Sequence, residues 1–123
     1  MWKGVVIEES LDNQELLKDV KIILRKPAYL EKEEGRGKFH FDKIEVDDSK
    51  IHKVIEYAKR TLKKGWYMHL CKGDTMIIIF KDMGFEHKKG HNPSLDQIRR
   101  YGKSMDINEA QLPDDSLIDD PWG

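Results

Sequence analysis

The feature that most constrains the fold is a run of five apolar residues at positions 76–80, Met-Ile-Ile-Ile-Phe. A strand with one face in water alternates apolar and polar side chains, so an unbroken apolar run predicts a strand buried on both faces. Further β-type segments flank this run at residues 66–72 and 84–87. The turns between the segments lie at residues 73–74 and 82–84. We therefore predict a three-stranded β-meander.

The N-terminal half predicts three more strands, at residues 3–8, at 20–24 with a continuation at 29–31, and at 38–46. Pro27 interrupts the second of these, and because proline cannot donate to a ladder we expect an edge strand or a bulge there. In the third strand, Phe39 and Phe41 lie on one face, whereas Ile44 and Val46 lie on the other. This change of parity predicts a bulge, a twist or a strand covered on both sides. A turn is predicted at residues 34–37, Glu-Gly-Arg-Gly.

Two longer helices and one short helix are predicted. The short helix lies at residues 14–19. The longest lies at residues 48–64 and ends at Gly65, which supplies the left-handed stop. Its apolar stripe consists of Ile51, Val54, Ile55, Ala58 and Leu62. The last helix opens at Asn92 as the N-cap, with Pro93 in the first helical position.

This element order, β-α-β-β-α-β-β-β-α, predicts an α+β fold with a mainly antiparallel sheet and helices on one face. We expect a ferredoxin-like sandwich with an added C-terminal β-meander and helix. Residues 1–112 are predicted to form a single α+β domain, and residues 113–123 an acidic C-terminal tail.

Composition excludes several classes of protein. No apolar stretch of the 123 residues is long enough to span a bilayer, and the N-terminus lacks the features of a secretion signal. Cys71 is the only cysteine, which excludes an internal disulfide and favours a cytoplasmic protein. No phosphate-binding loop, nucleophile elbow or dinucleotide fingerprint occurs, so we predict no cofactor and favour a function other than catalysis.

One face of the meander carries a group of chemically active residues. With turns at Gly73-Asp74 and Met83-Gly84, the side chains of Tyr67, His69, Cys71, Ile78, Phe80 and His87 lie on the same face. His69 and His87 would be about 9.5 Å apart across the sheet, with an offset of about 7 Å along it. A tetrahedral zinc site needs ring nitrogens about 3.3 Å apart. We therefore predict hydrogen-bonded histidines and a buried cysteine, with a metal-dependent hydrolase at His69, Cys71 and His87 as the weakest alternative.

A basic helix face offers another candidate site. Residues 50–64 carry six basic residues and one acidic residue, and the candidate nucleic-acid contacts are Lys53, Lys59, Arg60, Lys63 and Lys64. The later residues Arg99, Arg100 and Lys103 extend this surface if the two helices are adjacent. The other interpretation is a solvated face whose charge is offset by the acidic tail, and the pI of about 6.5 favours it.

Large apolar residues in the acidic C-terminal segment offer a third candidate, an interaction surface. Its residues are Leu117, Ile118 and Trp122 of this segment, together with Trp66 at the start of the meander. The pattern is typical of a segment that docks on its own domain, on another subunit or on another protein. The meander is apolar on both faces, so a partner or the tail must cover one of them. We predict a non-enzymatic binding or interaction module that forms homo-oligomers.

Three segments carry a resemblance. They are Gly-Trp-Tyr-Met-His-Leu at residues 65–70, Met-Ile-Ile-Ile-Phe-Lys at 76–81, and Tyr-Gly-Lys-Ser at 101–104 with Gln-Leu at 111–112. In these the chain resembles a group of small uncharacterised prokaryotic proteins, over roughly the C-terminal half. The resemblance implies a prokaryotic cytoplasmic source and carries no activity or site residue.

Overall fold

The computed structural model describes residues 1–29 and 38–123 of the chain. In this part six strands form one sheet: β1 Trp2–Ile7, β2 Lys21–Tyr29, β3 Lys38–Val46, β4 Tyr67–Lys72, β5 Thr75–Phe80 and β6 Met83–Lys88. Their order is β2-β3-β1-β4-β5-β6, and all neighbouring pairs are antiparallel. The turn predicted at residues 34–37 lies outside the described residues.

The predicted meander is confirmed, with a different second turn. Lys72 pairs with Thr75 across the Gly73-Asp74 turn, as expected. Phe80 pairs with Met83, so the second turn is at residues 81–82 and the prediction of Met83-Gly84 is wrong. The reason is that Asp82 adopts a left-handed φ of 63°, a conformation that aspartate tolerates, so the turn needs no glycine.

The strand β2 is an edge strand, as Pro27 predicted, but it continues through the proline without a break. The irregularity in this hairpin lies between Ile22 and Leu24, where the register of β2 against β3 shifts. The strand β3 pairs with β1 without a shift. The parity change in β3 therefore reflects a strand whose two faces both carry apolar side chains, and the bulge of this hairpin lies in β2, opposite Lys43 and Ile44.

The helices are α1 Ile51–Thr61, α2 Asn92–Ser104 and α3 Ser116–Asp119. The α1 helix is shorter than predicted, since Lys63 and Lys64 lie beyond its end. The segment predicted as a short helix near residue 14 is a 3-10 helix, Glu15–Asp19. The N-cap of α2 is His91, whose Nδ1 accepts from the backbone N–H of Ser94 at 3.2 Å, so the assignment of Asn92 as N-cap is wrong.

The helices pack on both faces of the sheet, which corrects the prediction of helices on one face. On one face, here the α1 face, α1 packs over side chains of the four inner strands and the 3-10 segments; its core includes Val6, Ile44, Val54, Leu70 and Ile79. On the other, the α2 face, α2 and α3 cover β4 to β6; that core includes Met76, Ile78, Phe80, Ile98 and Ile118. A meander apolar on both faces needs two covers, and the C-terminal segment supplies part of the second.

The α2 face is covered over only half of the sheet. Its core contains no described residue of β1, β2 or β3. No helix in residues 1–29 and 38–123 is long and apolar enough to cross a membrane.

At the centre of the sheet β1 and β4 approach closely at Gly4, where an added Cβ would overlap the carbonyl oxygen of His69.

Candidate functional site

A groove of about 380 Å³ lies on the α2 face, above the strands that α2 and α3 leave open. Side chains of β1, β3 and β4 form its floor. Its walls come from the residue before β4, the turn after α2 and the C-terminal segment. Its lining includes Val5, Ile7, Lys26, Ala28, Phe41, Lys43, Trp66, Tyr67, His69, Asp106, Leu117, Pro121 and Trp122.

The floor of the groove follows from the alternation of side chains along the strands. In β1, Val6 points into the α1-face core, so Val5 and Ile7 point to the α2 face. Ile7 pairs with Phe41 of β3, which lies on the same face. The apolar part of the floor is therefore made of branched and aromatic side chains that no helix of the described residues covers.

Two tryptophans form walls of the groove. The ring of Trp66 packs edge-on against that of Phe39, with centroids 5.1 Å apart. Trp122 donates its indole N–H to the backbone oxygen of Ile44 at 3.1 Å, beside the bulge of β2. Lys3 lies 4.9 Å from the ring centre of Trp122. Both tryptophans are half-buried and line the groove.

His69 joins the floor to the C-terminal wall. Its ring is buried, and Nε2 lies 2.7 Å from the backbone oxygen of Pro121. A carbonyl oxygen only accepts, so Nε2 carries the proton and donates. Burial lowers the pKa of His69, although the bond to Pro121 opposes this. The neutral ring leaves Nδ1 as an acceptor with no hydrogen-bond partner among the described residues.

The groove has charged groups at opposite sides. Lys26 and Lys43 line it on the β2–β3 side, and neither forms an ion pair with any described residue. Asp106 lines the groove on the β4 side. The residue before it, Met105, has its backbone oxygen near Gly65, which precedes β4. The arrangement is electropositive toward β2 and electronegative toward the start of β4.

A hydrogen-bonded chain fastens the C-terminal segment to the domain. His87 is fully buried; its Nδ1 lies 2.6 Å from the hydroxyl of Ser94, and its Nε2 lies 2.6 Å from a carboxylate oxygen of Asp115. Asp115 also accepts from the backbone N–H of Gly90. The bond from His87 holds the pKa of Asp115 below its usual value. A separate ion pair joins Lys89 to Asp119.

The chain Ser94–His87–Asp115 contains the residue types of a nucleophilic triad, but its surroundings indicate a structural role. Ser94 is not part of the groove. The backbone N–H groups of Ser94 and Leu95 both donate to His91, so neither is free to stabilise an oxyanion. We call this chain the tail latch, because it holds the segment that walls the groove.

The three residues of the weakest alternative, the metal-dependent hydrolase, share the α2 face as predicted but have separate partners. His87 pairs with Met76, rather than with Phe80 as expected, because of the shifted second turn. His69 binds the C-terminal segment, and His87 belongs to the tail latch. Burial raises the pKa of the Cys71 thiol to about 12. The described residues contain no group of three His, Cys, Asp or Glu side chains able to hold a metal ion.

The basic residues of α1 lie on the α1 face, away from the groove. Lys53 pairs with Asp19 at 3.2 Å and Lys59 with Glu56 at 2.9 Å, while Arg60 stacks on Tyr57. The acidic C-terminal segment packs on the opposite face, so Lys53 and Lys59 pair with Asp19 and Glu56 and not with the tail.

The second helix also does not extend the basic surface of α1. The α2 helix packs on the other face, and Arg99 donates to the backbone oxygens of Leu112 and Pro113. Lys63 and Lys64 are exposed after α1. The basic residues of α1 and those of α2 therefore belong to helices on opposite faces of the sheet.

Sequence reasoning missed a buried acidic pair on the α1 face. Asp42 is 0% exposed and lies against Glu8, and Arg25 contacts Glu8 at 2.5 Å and Asp42 at 3.3 Å. Burial and the Glu8 carboxylate raise the pKa of Asp42 from 3.8 to about 7. The sequence does contain a signal for the burial of Asp42, because Asp42 lies on the same face of β3 as the buried Ile44 and Val46.

The structure brings together most of the residues predicted to form an interaction surface. Trp66, Leu117 and Trp122 line the groove, and Ile118 is buried in the α2-face core. The C-terminal segment thus packs on its own domain. No protein-family model, no curated protein and no solved structure matches this chain.

Proposed function

We propose that the protein is a non-enzymatic binding module whose groove holds one small, mostly apolar aromatic molecule. The observation that carries this proposal is a concave site of about 380 Å³ with an apolar floor and two tryptophan walls. Ligand sites are typically concave, mostly apolar and furnished with a few polar groups. Here the polar groups are His69, Lys26, Lys43 and Asp106.

The chemistry of the groove favours binding over catalysis. A general base needs a pKa near the working pH and a free nitrogen or oxygen beside the substrate. Burial lowers the pKa of His69, and its Nε2 is committed to Pro121. Cys71 is buried with its pKa raised, which opposes formation of a thiolate.

We also infer a ferredoxin-like arrangement in the N-terminal part of the fold. The first four strands have the order β2-β3-β1-β4, with β3 between β1 and β2 as in a split β-α-β unit. A 3-10 segment, Glu15–Asp19, takes the place of the first helix, and α1 is the second. The groove occupies the face of this unit that its helices leave open.

Binding of 2-naphthol, a neutral two-ring probe, tests the proposed function. We expect saturable chemical-shift changes in the backbone amides of Val5, Ile7 and Phe41 in ¹H–¹⁵N spectra, because these residues form the floor. We expect a dissociation constant of about 0.1–1 mM, as is usual for a ligand of this size. Ala28→Trp fills the groove from β2 and should weaken binding at least about tenfold.

The control is Met83→Trp, which places the same ring at an exposed position on the opposite edge of the sheet. It should leave the affinity unchanged. If Ala28→Trp binds the probe as well as the wild type does, or if the shifts lie elsewhere, the groove is not the binding site.

We further propose that the protein self-associates through the edge strand β2. Ile22, Ile23 and Leu24 are 37%, 41% and 49% exposed beside an edge that no strand of the described residues pairs with. Such an edge favours pairing with a second copy, although the nearby Lys21 and Arg25 limit its strength.

Light scattering after size-exclusion chromatography tests this pairing. At about 100 μM we expect a mass above that of the monomer, because a weak edge contact dissociates near such a concentration. Ile23→Lys should return the mass to that of one chain, whereas Met83→Lys on the other edge should not. A wild-type monomer at this concentration would rule out self-association through β2.

A further inference from the structure

We propose that the ligand of the groove is a hydroxyaryl carboxylate that bridges His69 and Lys43. This inference rests on the proposed function and names the chemical class that the groove selects. The hydroxyl group of the ligand donates to Nδ1 of His69. Its ring lies over Val5 and Ile7, and its carboxylate lies beside the Nζ of Lys43.

The pairing of the strands sets the distance between the two polar groups. Val5 pairs with Lys43 of β3 on one side and with His69 of β4 on the other. All three side chains therefore point to the α2 face in one row across the sheet. The outer two strands are about 9.6 Å apart, so a ring of one or two fused cycles spans the space between them.

The hydrogen-bond partner of His69 selects a donor at one end of the ligand. Pro121 accepts the Nε2 proton, which fixes Nδ1 as the unprotonated nitrogen. Burial lowers the pKa of this ring and so keeps it neutral. An aromatic hydroxyl satisfies Nδ1, whereas a carboxylate at this end would meet only an acceptor, on the side of the groove that Asp106 lines.

Charge selects an anion at the other end. Lys43 is half-buried, and Lys26 is its diagonal neighbour on the adjacent strand, since Lys26 pairs with Phe41. Neither ammonium group has an ion-pair partner among the described residues. A carboxylate placed between them gains charge-assisted hydrogen bonds without displacing an existing acid.

The walls select a flat ring in preference to an acyl chain. Phe41 and Tyr67 on the floor and Trp66 and Trp122 in the walls give the groove four aromatic surfaces. Aromatic rings pack on one another in stacked or edge-on arrangements that add to the effect of buried area.

The test compares 6-hydroxy-2-naphthoate with 2-naphthol and 2-naphthoate, each of which lacks one polar group. Isothermal titration calorimetry or the ¹H–¹⁵N titration gives the affinities. We expect 6-hydroxy-2-naphthoate to bind about tenfold more tightly than 2-naphthol and about fivefold more tightly than 2-naphthoate.

Two variants assign these differences to residues. Lys43→Gln should remove most of the advantage of the carboxylate and leave 2-naphthol unaffected, and Lys21→Gln outside the groove is its control. His69→Gln keeps a donor at the position of Nε2 for Pro121 and removes the Nδ1 acceptor. It should abolish the advantage of the hydroxyl group and leave 2-naphthoate unaffected.

The outcomes separate this inference from the proposed function. Equal affinities for 2-naphthol and 6-hydroxy-2-naphthoate would overturn the hydroxyaryl carboxylate, while the groove would still be a binding site. Decanoate binding more tightly than 2-naphthoate would overturn it in favour of an acyl chain. Absence of binding by every probe would overturn the proposed function itself.

Discussion

Gly4→Ala should prevent the protein from folding, or destabilise it by at least about 4 kcal/mol, an effect at the extreme of single substitutions. A Cβ at this position would overlap the carbonyl oxygen of His69. That oxygen belongs to the backbone of β4, so no side-chain rotation can relieve the overlap. To accommodate the Cβ, β1 must move away from β4. This movement disrupts the sheet near its centre, because β1 lies between β3 and β4.

Urea unfolding followed by circular dichroism measures this effect, and Gly84→Ala is the matched control. An added Cβ at Gly84 of β6 would meet the Cε atom of Lys59 at 3.0 Å, the movable end of a flexible side chain. We expect a change of about 1 kcal/mol or less for this control, because alanine suits a strand better than glycine does. A folded Gly4→Ala protein with the wild-type unfolding midpoint would contradict the close approach of β1 and β4.

Asp42→Asn should stabilise the protein by about 2 kcal/mol at pH 8 and have little effect near pH 4. Asp42 is fully buried against Glu8, and its pKa in the folded state is about 7. The folded pair therefore holds a proton that the unfolded chain releases at lower pH. Asparagine keeps the shape and the hydrogen-bonding capacity of the protonated acid and does not ionise.

The direction of the pH dependence follows from the raised pKa. Between the ordinary value of 3.8 and about 7, the folded state binds more protons than the unfolded state, so the free energy of unfolding falls as the pH rises. Above pH 7 both states have lost the proton, and this contribution is constant.

The quantity to measure is the difference between the unfolding free energies of Asp42→Asn and the wild type from pH 4 to pH 8. Taking the difference removes the opposing contribution of His69, whose pKa is lowered in the folded state. Asp120→Asn, at an exposed position, should follow the wild type throughout. A difference that does not grow between pH 5 and pH 7 would show that Asp42 is ionised across this range.

Local patterns in the sequence predicted the elements of the fold well. The alternation of side chains placed His69, Cys71 and His87 on one face, and the apolar run at residues 76–80 identified an inner strand. The errors occurred where two local solutions compete. Asp82 made the turn without glycine, and the side chain of His91 capped α2 in place of Asn92.

The position of the helices could not be predicted from such patterns. An amphipathic helix shows which of its faces is buried, but not which face of the sheet it meets. The sequence did show that both faces of the meander are apolar, and it offered the tail as one cover. Choosing between the tail and a second subunit required the contacts of Asp115, Ile118 and Trp122.

Some individual residues of the groove could be predicted from the sequence, but their assembly into one site could not. Trp66, Leu117 and Trp122 were predicted to form part of an interaction surface. The floor residues Val5 and Ile7 resemble ordinary strand residues, because they are accessible only where no helix of the described part of the chain covers them. That absence depends on the lengths and directions of segments far apart in the chain.

The tail latch couples binding in the groove to the opening and closing of the C-terminal segment. The groove joins residues from Val5 to Trp122, so a form of the protein with the latch released lacks one wall of the site. A molecule that binds only the closed form shifts the opening equilibrium toward closure by mass action. Amide hydrogens of the C-terminal segment would then exchange more slowly with solvent, although the molecule itself contacts only a few of them.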